Sequence, residues 1–354
     1  SSLPSLAFTS IILFMPVESN DTLKNIYEME EMKAVTYTQY GSPDVLKVKK
    51  IKKPIPKEKE VLVKVHSASA NPADWHMIRG KPLFSRLSFG LFKPRNTIPG
   101  IDISGKIESV GKNVTEFKPG DEVFGECGWG GGFAEYVCTS ENNLVKKPKN
   151  ISFEEAASVA VAAITALQGL RYKGAFITGQ NVLINGASGG VGTFAVQIAR
   201  SFGAKVTGVC SSRNADLVRS LGAKNIIDYT KQDFTQTEQK YDFILDAVGN
   251  RSVFDYKRAL TPNGKCVIVG FTTLGRMFQH ALLGSLQSSS KGKSIALMGT
   301  AQPNKKDLEI LKTYLESGSI KPVIDRKYSL DKTAEAMHYL EQGHARGKVV
   351  IKIV

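Results

Sequence analysis

The sequence predicts an α/β protein in which a β-rich unit precedes a doubly wound parallel sheet. Three observations predict it. Short strand-like runs and turn signals fill residues 32–150. From Ile151 onward strand-like and helix-like pieces alternate, and those strands are apolar throughout. A glycine-rich loop joins one of those strands to one of those helices. Alternating βαβα with apolar strands marks a parallel sheet with helices on both faces.

The chain has 354 residues, enough for about two domains. Apolar residues are 42% and charged residues 23% of the chain. That balance excludes a disordered chain, a collagen-like chain and a polytopic membrane protein. Basic residues outnumber acidic ones, 47 against 33, so the formal charge is +14. Such a surface attracts anions: nucleic acid, acidic lipid or a phosphorylated cofactor. The four cysteines, Cys127, Cys138, Cys210 and Cys266, form no CxxC pair and no disulfide framework. A reducing compartment, simplest as cytoplasmic, follows; association with an organelle or a membrane surface stays open.

Residues 1–31 read as an extension. The run Leu3 to Val17 is apolar but too short for a comfortable span. It is either an untidy tail or part of a targeting or anchoring segment. From Met32 to Asn150 strands are expected at Val61–Val65, Ile101–Val110, Glu122–Phe124 and Phe133–Cys138, with turns at Lys118–Asp121 and Gly130–Gly132. This unit reads as irregular all-β. The lysine run from Lys47 to Lys59 is broken by Pro54 and Pro56 and suits a solvated edge better than a polyanion site.

Ser152 and Glu155 form a capping box that opens an Ala-rich helix. Strands then follow at Asn181–Ile184, Lys205–Val209, Asn225–Ile227, Phe243–Asp246, Lys265–Val269 and Ser294–Met298. Helices are expected at Gly190–Phe202, Ala215–Leu221 and Ser252–Leu260. Residues 151–300 therefore form the parallel-sheet domain. The tail, residues 301–354, carries helices at Asp307–Glu316 and Thr333–Glu341, a strand near Val323 and a closing strand at Gly347–Ile353.

The strongest motif is Asn181-Val-Leu-Ile-Asn-Gly-Ala-Ser-Gly-Gly-Val-Gly192. Gly186, Gly189 and Gly192 are spaced three apart, with Gly190 beside them. A loop of this kind between strand and helix lets the backbone approach a pyrophosphate at a positive helix end. An NAD site places an acid at the end of the second strand. Here that strand ends Val209-Cys-Ser-Ser-Arg213 with no acid. The hydroxyl of Ser211 beside the Arg213 guanidinium suits a ribose 2′-phosphate, and the Tyr229 hydroxyl could join them. NADPH is thus favoured over NADH.

Several stretches together resemble the zinc-independent quinone oxidoreductase branch of the medium-chain dehydrogenase/reductase superfamily. They are Asn71-Pro-Ala-Asp-Trp75, Pro99-Gly-Ile-Asp-Ile-Ser-Gly105, Lys118-Pro-Gly-Asp-Glu-Val-Phe124, Gly132-Phe-Ala-Glu-Tyr136, the glycine loop, and Gly343-His-Ala-Arg-Gly-Lys348. The resemblance spans Met32 to Val354. It implies a GroES-like β-rich catalytic domain, residues 32–150 and 301–354, around a Rossmann domain, residues 151–300. It further implies that Ser188, Gly190 and Val191 face the pyrophosphate. Asn71, Gly270 and Phe271 should lie near the nicotinamide, and Val248 and Gly249 close to the cofactor. His344, Ala345 and Arg346 should close over it.

Alcohol dehydrogenases of the superfamily place a Cys ligand at the Asn71–Asp74 segment and a His-Glu pair at Ile101-Asp102. The structural zinc lobe is missing too, so no metal is expected, although Asp74, His76 and Asp102 could converge. Without a Lewis acid, reduction of an activated acceptor is easier than alcohol oxidation. The expected activity is NADPH-dependent hydride transfer to a small quinone, enal or enone. Asn71 and His76 are the weak candidates for a catalytic group. Related enoyl-thioester reductases carry a Tyr after the Asn-Pro segment, where this chain has Met77 to Phe84 without one. Competing readings are an NADPH-binding protein acting on RNA or a membrane surface, and an NAD(P)-dependent alcohol dehydrogenase. No RNA-reading aromatic pattern appears, so no nucleic-acid partner is expected. The insert from Lys81 to Thr97 borders the substrate mouth or packs on the core. The stretch Leu274 to Leu286, with Met277, Phe278, Leu282 and Leu283, is either a flap or a homodimer surface.

Overall fold

The computed structural model describes residues 30–172, 178–287 and 292–354. The apolar run Leu3 to Val17 lies outside them. Regular structure starts at Glu31, the last residue of the expected extension. Strand β1 (Glu31–Thr36) pairs with β2 (Lys47–Lys52) in a small antiparallel sheet. β2 is an edge, and its lysines are exposed.

The first unit is a seven-stranded sheet built from β3 (Glu60–Ala70), β4 (Asp102–Val110), β5 (Glu122–Glu126), β6 (Tyr136–Ser140) and β7 (Leu144–Lys146), completed from the tail. One expectation fails here. The unit is not purely β, because Pro72–Arg79 forms a helix. Asn71 starts it in extended backbone, Pro72 supplies a ready-made φ, and the Asp74 carboxylate accepts the Asn71 N–H at 2.8 Å.

The second sheet contains β8 (Asn181–Asn185), β9 (Lys205–Cys210), β10 (Asn225–Asp228), β11 (Tyr241–Asp246), β12 (Leu260–Ile268) and β13 (Ser294–Leu297). All are parallel, in the order β10-β9-β8-β11-β12-β13. That is the doubly wound order, which opens a crevice where it reverses, between β8 and β11. Helices on both faces bury Val182, Leu183, Ile184, Ile244 and Leu245 completely, which is why these strands are apolar on both sides.

The tail begins with a helix that lies against both units. Leu308, Leu311 and Leu315 of the helix Lys305–Glu316, with Ile320, pack into the parallel-sheet core. The same helix also touches the first unit, through the Lys305–Glu116 ion pair, and the chain enters that unit's sheet at β14 (Ile324–Ser329) and β15 (Lys348–Lys352). β15 runs antiparallel to β3, with Val349 opposite Ala70. Among the described residues no helix is long and apolar enough to cross a membrane.

Candidate functional site

A cleft of about 570 Å³ lies across the carboxyl ends of β8 and β11 and reaches the first unit at Asn71. Its floor is the glycine loop. Gly186 takes φ +79°, and Gly192 packs so closely that a Cβ would stand 2.0 Å from the Gly186 carbonyl oxygen. The loop turns on backbone alone and feeds the helix Gly190–Ser201, whose first N–H groups lack intrahelical partners. Ser188 Oγ accepts Asn214 Nδ2 at 3.0 Å, while Asn214 Oδ1 is buried without a partner among the described residues. An unpaired buried acceptor and a glycine cradle together suit an anionic ligand with hydroxyl donors.

Charge sharpens this. Arg213, Arg251 and Lys348 line the cleft, and among the described residues no Asp or Glu does. Arg213 and Tyr229 flank one end, beyond β9 and β10. Asp228 closes β10 nearby, but it turns to the Ser212 hydroxyl and to the Thr230 N–H and Oγ, which hold its carboxyl below the ordinary range. Across the cleft, Asp246 fixes the opposite rim. Its Oδ1 accepts the Val248 and Gly249 N–H groups at 2.7 Å each. Its Oδ2 accepts Asn185 Nδ2 at 2.9 Å and the Tyr256 hydroxyl at 2.5 Å.

The far end is a row of buried polar groups set by strand register. β15 places Lys348 beside Asn71; β3 pairs Ser69 with Asp102; β4 pairs Asp102 with Glu126. Lys348 is 3% exposed and Asp102 fully buried. Lys348 Nζ donates to Asn71 Oδ1 and lies 3.3 Å from Asp102 Oδ2. Asp102 also accepts Ser69 Oγ at 2.8 Å, Asn71 Nδ2 at 3.0 Å and the Val161 N–H at 2.9 Å. Burial, aided by the nearby Asp102 carboxylate, pushes Asp74 up to about 7 and Glu126 up to about 8. Asp74 thus sits near half-protonated at neutral pH, and Glu126 is mostly protonated. Lys348 is the cation that faces Asp102 across this row.

Residues 57–149 match the family described as alcohol dehydrogenase GroES-like domain, and residues 221–351 the one described as zinc-binding dehydrogenase. A 2-methylene-furan-3-one reductase of Solanum lycopersicum is 38% identical over 344 residues, 94% of this chain and 81% of that protein. A chloroplastic NADPH-dependent alkenal/one oxidoreductase of Arabidopsis thaliana is 36% identical over 337 residues, 91% of this chain and 80% of that one. The solved quinone oxidoreductase of Coxiella burnetii superposes with a TM-score of 0.79 at 31% identity, covering 92% of this chain and 100% of that one.

The chain belongs to the quinone oxidoreductase branch of the medium-chain dehydrogenase/reductase superfamily.

Like its branch, it is an oxidoreductase. The word zinc in one family description finds no donor set here. Among the described residues no group of three His, Cys, Asp or Glu side chains is placed to hold a metal. The Asp74 and Asp102 oxygens are taken by N–H and O–H donors. Burial keeps the nearby Cys127 thiol well above its ordinary value and so protonated.

Most of the expected branch residues meet in the cleft: Asn71, Gly186, Ser188, Gly189, Gly190, Val191, Arg213, Tyr229, Val248, Phe271, His344 and Ala345 all line it. Four do not. Ser211 only starts a short 3-10 turn. Gly249 and Gly270 pack back to back, a Cβ on Gly249 standing 2.2 Å from the Gly270 oxygen, and shape the wall from behind. The Arg346 side chain is exposed, and its N–H is spent on Asp325.

His76 also lies outside the lining. Its Nδ1 meets the Lys81 carbonyl at 2.9 Å, so Nδ1 carries the proton. Burial lowers its affinity for a second one, which leaves Nε2 bare. The ring is therefore no proton donor. It stacks against Phe271 at 5.8 Å and supports that wall. Lys348 and Arg251 line the cleft without having been singled out. The string Gly343 to Lys348 had marked the first; nothing local marks the second.

Proposed function

We propose that this protein is an NADPH-dependent reductase that delivers hydride to a quinone or an α,β-unsaturated carbonyl without a metal. What carries the reading is the cleft's lining: a glycine cradle with Arg213 at one end, while Arg251 and Lys348 pair with Asp233 and Asp102 and no Asp or Glu lines the cleft among the described residues. A polyanionic dinucleotide is the ligand such walls favour. Arg213 and Tyr229 at one end support a ribose 2′-phosphate over a bare ribose, because a guanidinium and a phenol donate and no wall acid repels. The relatives' names, an NADPH-dependent alkenal/one oxidoreductase among them, support the same choice.

NADPH supplies a hydride when bound; the chain holds it, orients it and excludes water. Asn71 shares in that work indirectly, because its side-chain amide is engaged at both ends by Lys348, Asp102 and Ser69. Lys348 has three N–H bonds, two of them directed at Asn71 and Asp102. We assign the third to the occupant of the cleft that Lys348 lines, where it would stabilise negative charge growing on an acceptor oxygen. Hydride joins the electron-poor carbon, the electron pair moves to that oxygen, and water supplies the final proton.

The test is NADPH consumption by the metal-stripped protein across a panel of quinones, enals and enones. Turnover is expected on several. Activity that disappears with the metal would sink the metal-free mechanism. Tight NADPH binding with no turnover on any acceptor would favour a binding protein instead.

A further inference from the structure

The insert between Lys81 and Thr97 neither lines the cleft nor packs in a core. Leu83, Phe84, Leu87, Leu91 and Phe92 are all at least half exposed, Phe92 at 89%. This exposure is not that of a loose loop. The Tyr40 hydroxyl donates to the Gly90 carbonyl at 2.6 Å, and Arg86 Nε donates to the Gly80 carbonyl at 3.0 Å. Phe89 tilts onto Trp129 at 5.3 Å, and Asn96 Nδ2 donates to the Trp129 carbonyl at 2.7 Å. The body grips the segment by its polar atoms and one ring, and leaves five large apolar side chains outside.

The charges within the segment have one sign. Lys81, Arg86, Lys93 and Arg95 lie within the insert, and no Asp or Glu occurs between Asp74 and Asp102. Among the described residues none of the four has a carboxylate partner. We propose that this segment docks the protein on an anionic lipid bilayer. Apolar side chains enter the acyl boundary while cations meet the headgroups, and the two contributions add. A second copy of the chain fits worse. A two-fold contact would set four cations against four cations with no acid to pair them. The root of the segment also adjoins the cleft: the Lys81 carbonyl holds His76, which stacks on the wall residue Phe271. Docking would therefore bring the cleft to a surface where apolar acceptors concentrate.

The test is co-sedimentation of the full chain with vesicles of phosphatidylcholine alone and of phosphatidylcholine mixed with phosphatidylglycerol, at low and high salt. Binding is expected to the anionic vesicles and to weaken with salt. The variants L87S/F92S and K81E/K93E should each bind roughly tenfold more weakly or worse. Their NADPH turnover on a water-soluble acceptor, measured on the same samples, should match the parent, which separates this inference from the reading of the cleft. No vesicle binding by the parent, or undiminished binding by both variants, overturns it. So does self-association of the parent that L87S/F92S abolishes, since a second copy would then cover the face.

Discussion

The two ends of the cleft are built in opposite ways. The glycine-loop end is made of backbone: consecutive residues turn from β8 into a helix. The Lys348 end is made of side chains from β15, β3, β4 and β5, and one of its hydrogen bonds joins residues 277 apart in the chain. The first tolerates any surroundings that keep the turn. The second exists only while four strands hold register. Damage to the first should therefore cost binding, and damage to the second should cost the fold.

The largest effect should come from Lys348→Met. It leaves the buried Asp102 carboxylate uncompensated, and removing one member of a buried pair costs about 3–5 kcal/mol. The urea midpoint should fall accordingly, and adding Asp102→Asn should restore part of it. A midpoint that does not move would mean the row is not held by charge.

Gly189→Val probes the other end. A Cβ there meets only the Gly186 carbonyl oxygen, at 3.4 Å, and the backbone φ of −83° suits any residue. The fold should keep its midpoint to within roughly 1 kcal/mol, while the filled cradle loses NADPH affinity by about a hundredfold. Fluorescence titration measures the second quantity. Equal losses of binding and stability would erase the contrast between the two ends.

Proton linkage sharpens the contrast further. Burial raises Glu126 from 4.5 to about 8, so the fold favours the protonated acid. The stability this gives is complete at acid pH and is lost as pH rises through about 8. Stability should therefore fall as pH rises from about 5 to about 8 and level off above that. The Glu126→Gln variant should show a flatter profile in thermal melts across that range.

The smallest effect is at the adenosine end. Arg213→Ala should weaken NADPH about tenfold and leave NADH unchanged, as the loss of one exposed charge-assisted contact. Equal loss for both cofactors would deny Arg213 its partner.

How far each end was legible follows from the same contrast. The glycine loop, the apolar strands and Arg213 could be read because each is a local pattern. The helix Pro72–Arg79 carried its own signal in Asn71, Pro72 and Asp74, but those residues sat in a stretch read as strands and turns. Ser211, Gly249, Gly270 and Arg346 do not line the cleft although their neighbours do, because adjacency in sequence does not say which way a side chain or a turn faces.

The sequence by itself determined the parallel-sheet domain, its glycine loop and the branch of the superfamily. These depend on neighbours within a few residues, and local sterics and hydrophobic patterning decide them. Only the tertiary structure decided that Lys348, Asn71, Asp102 and Glu126 share one buried row. Strand register across the returning tail sets that row, and burial then shifts the acids. Register is a property of paired strands, and no single stretch of the chain contains it.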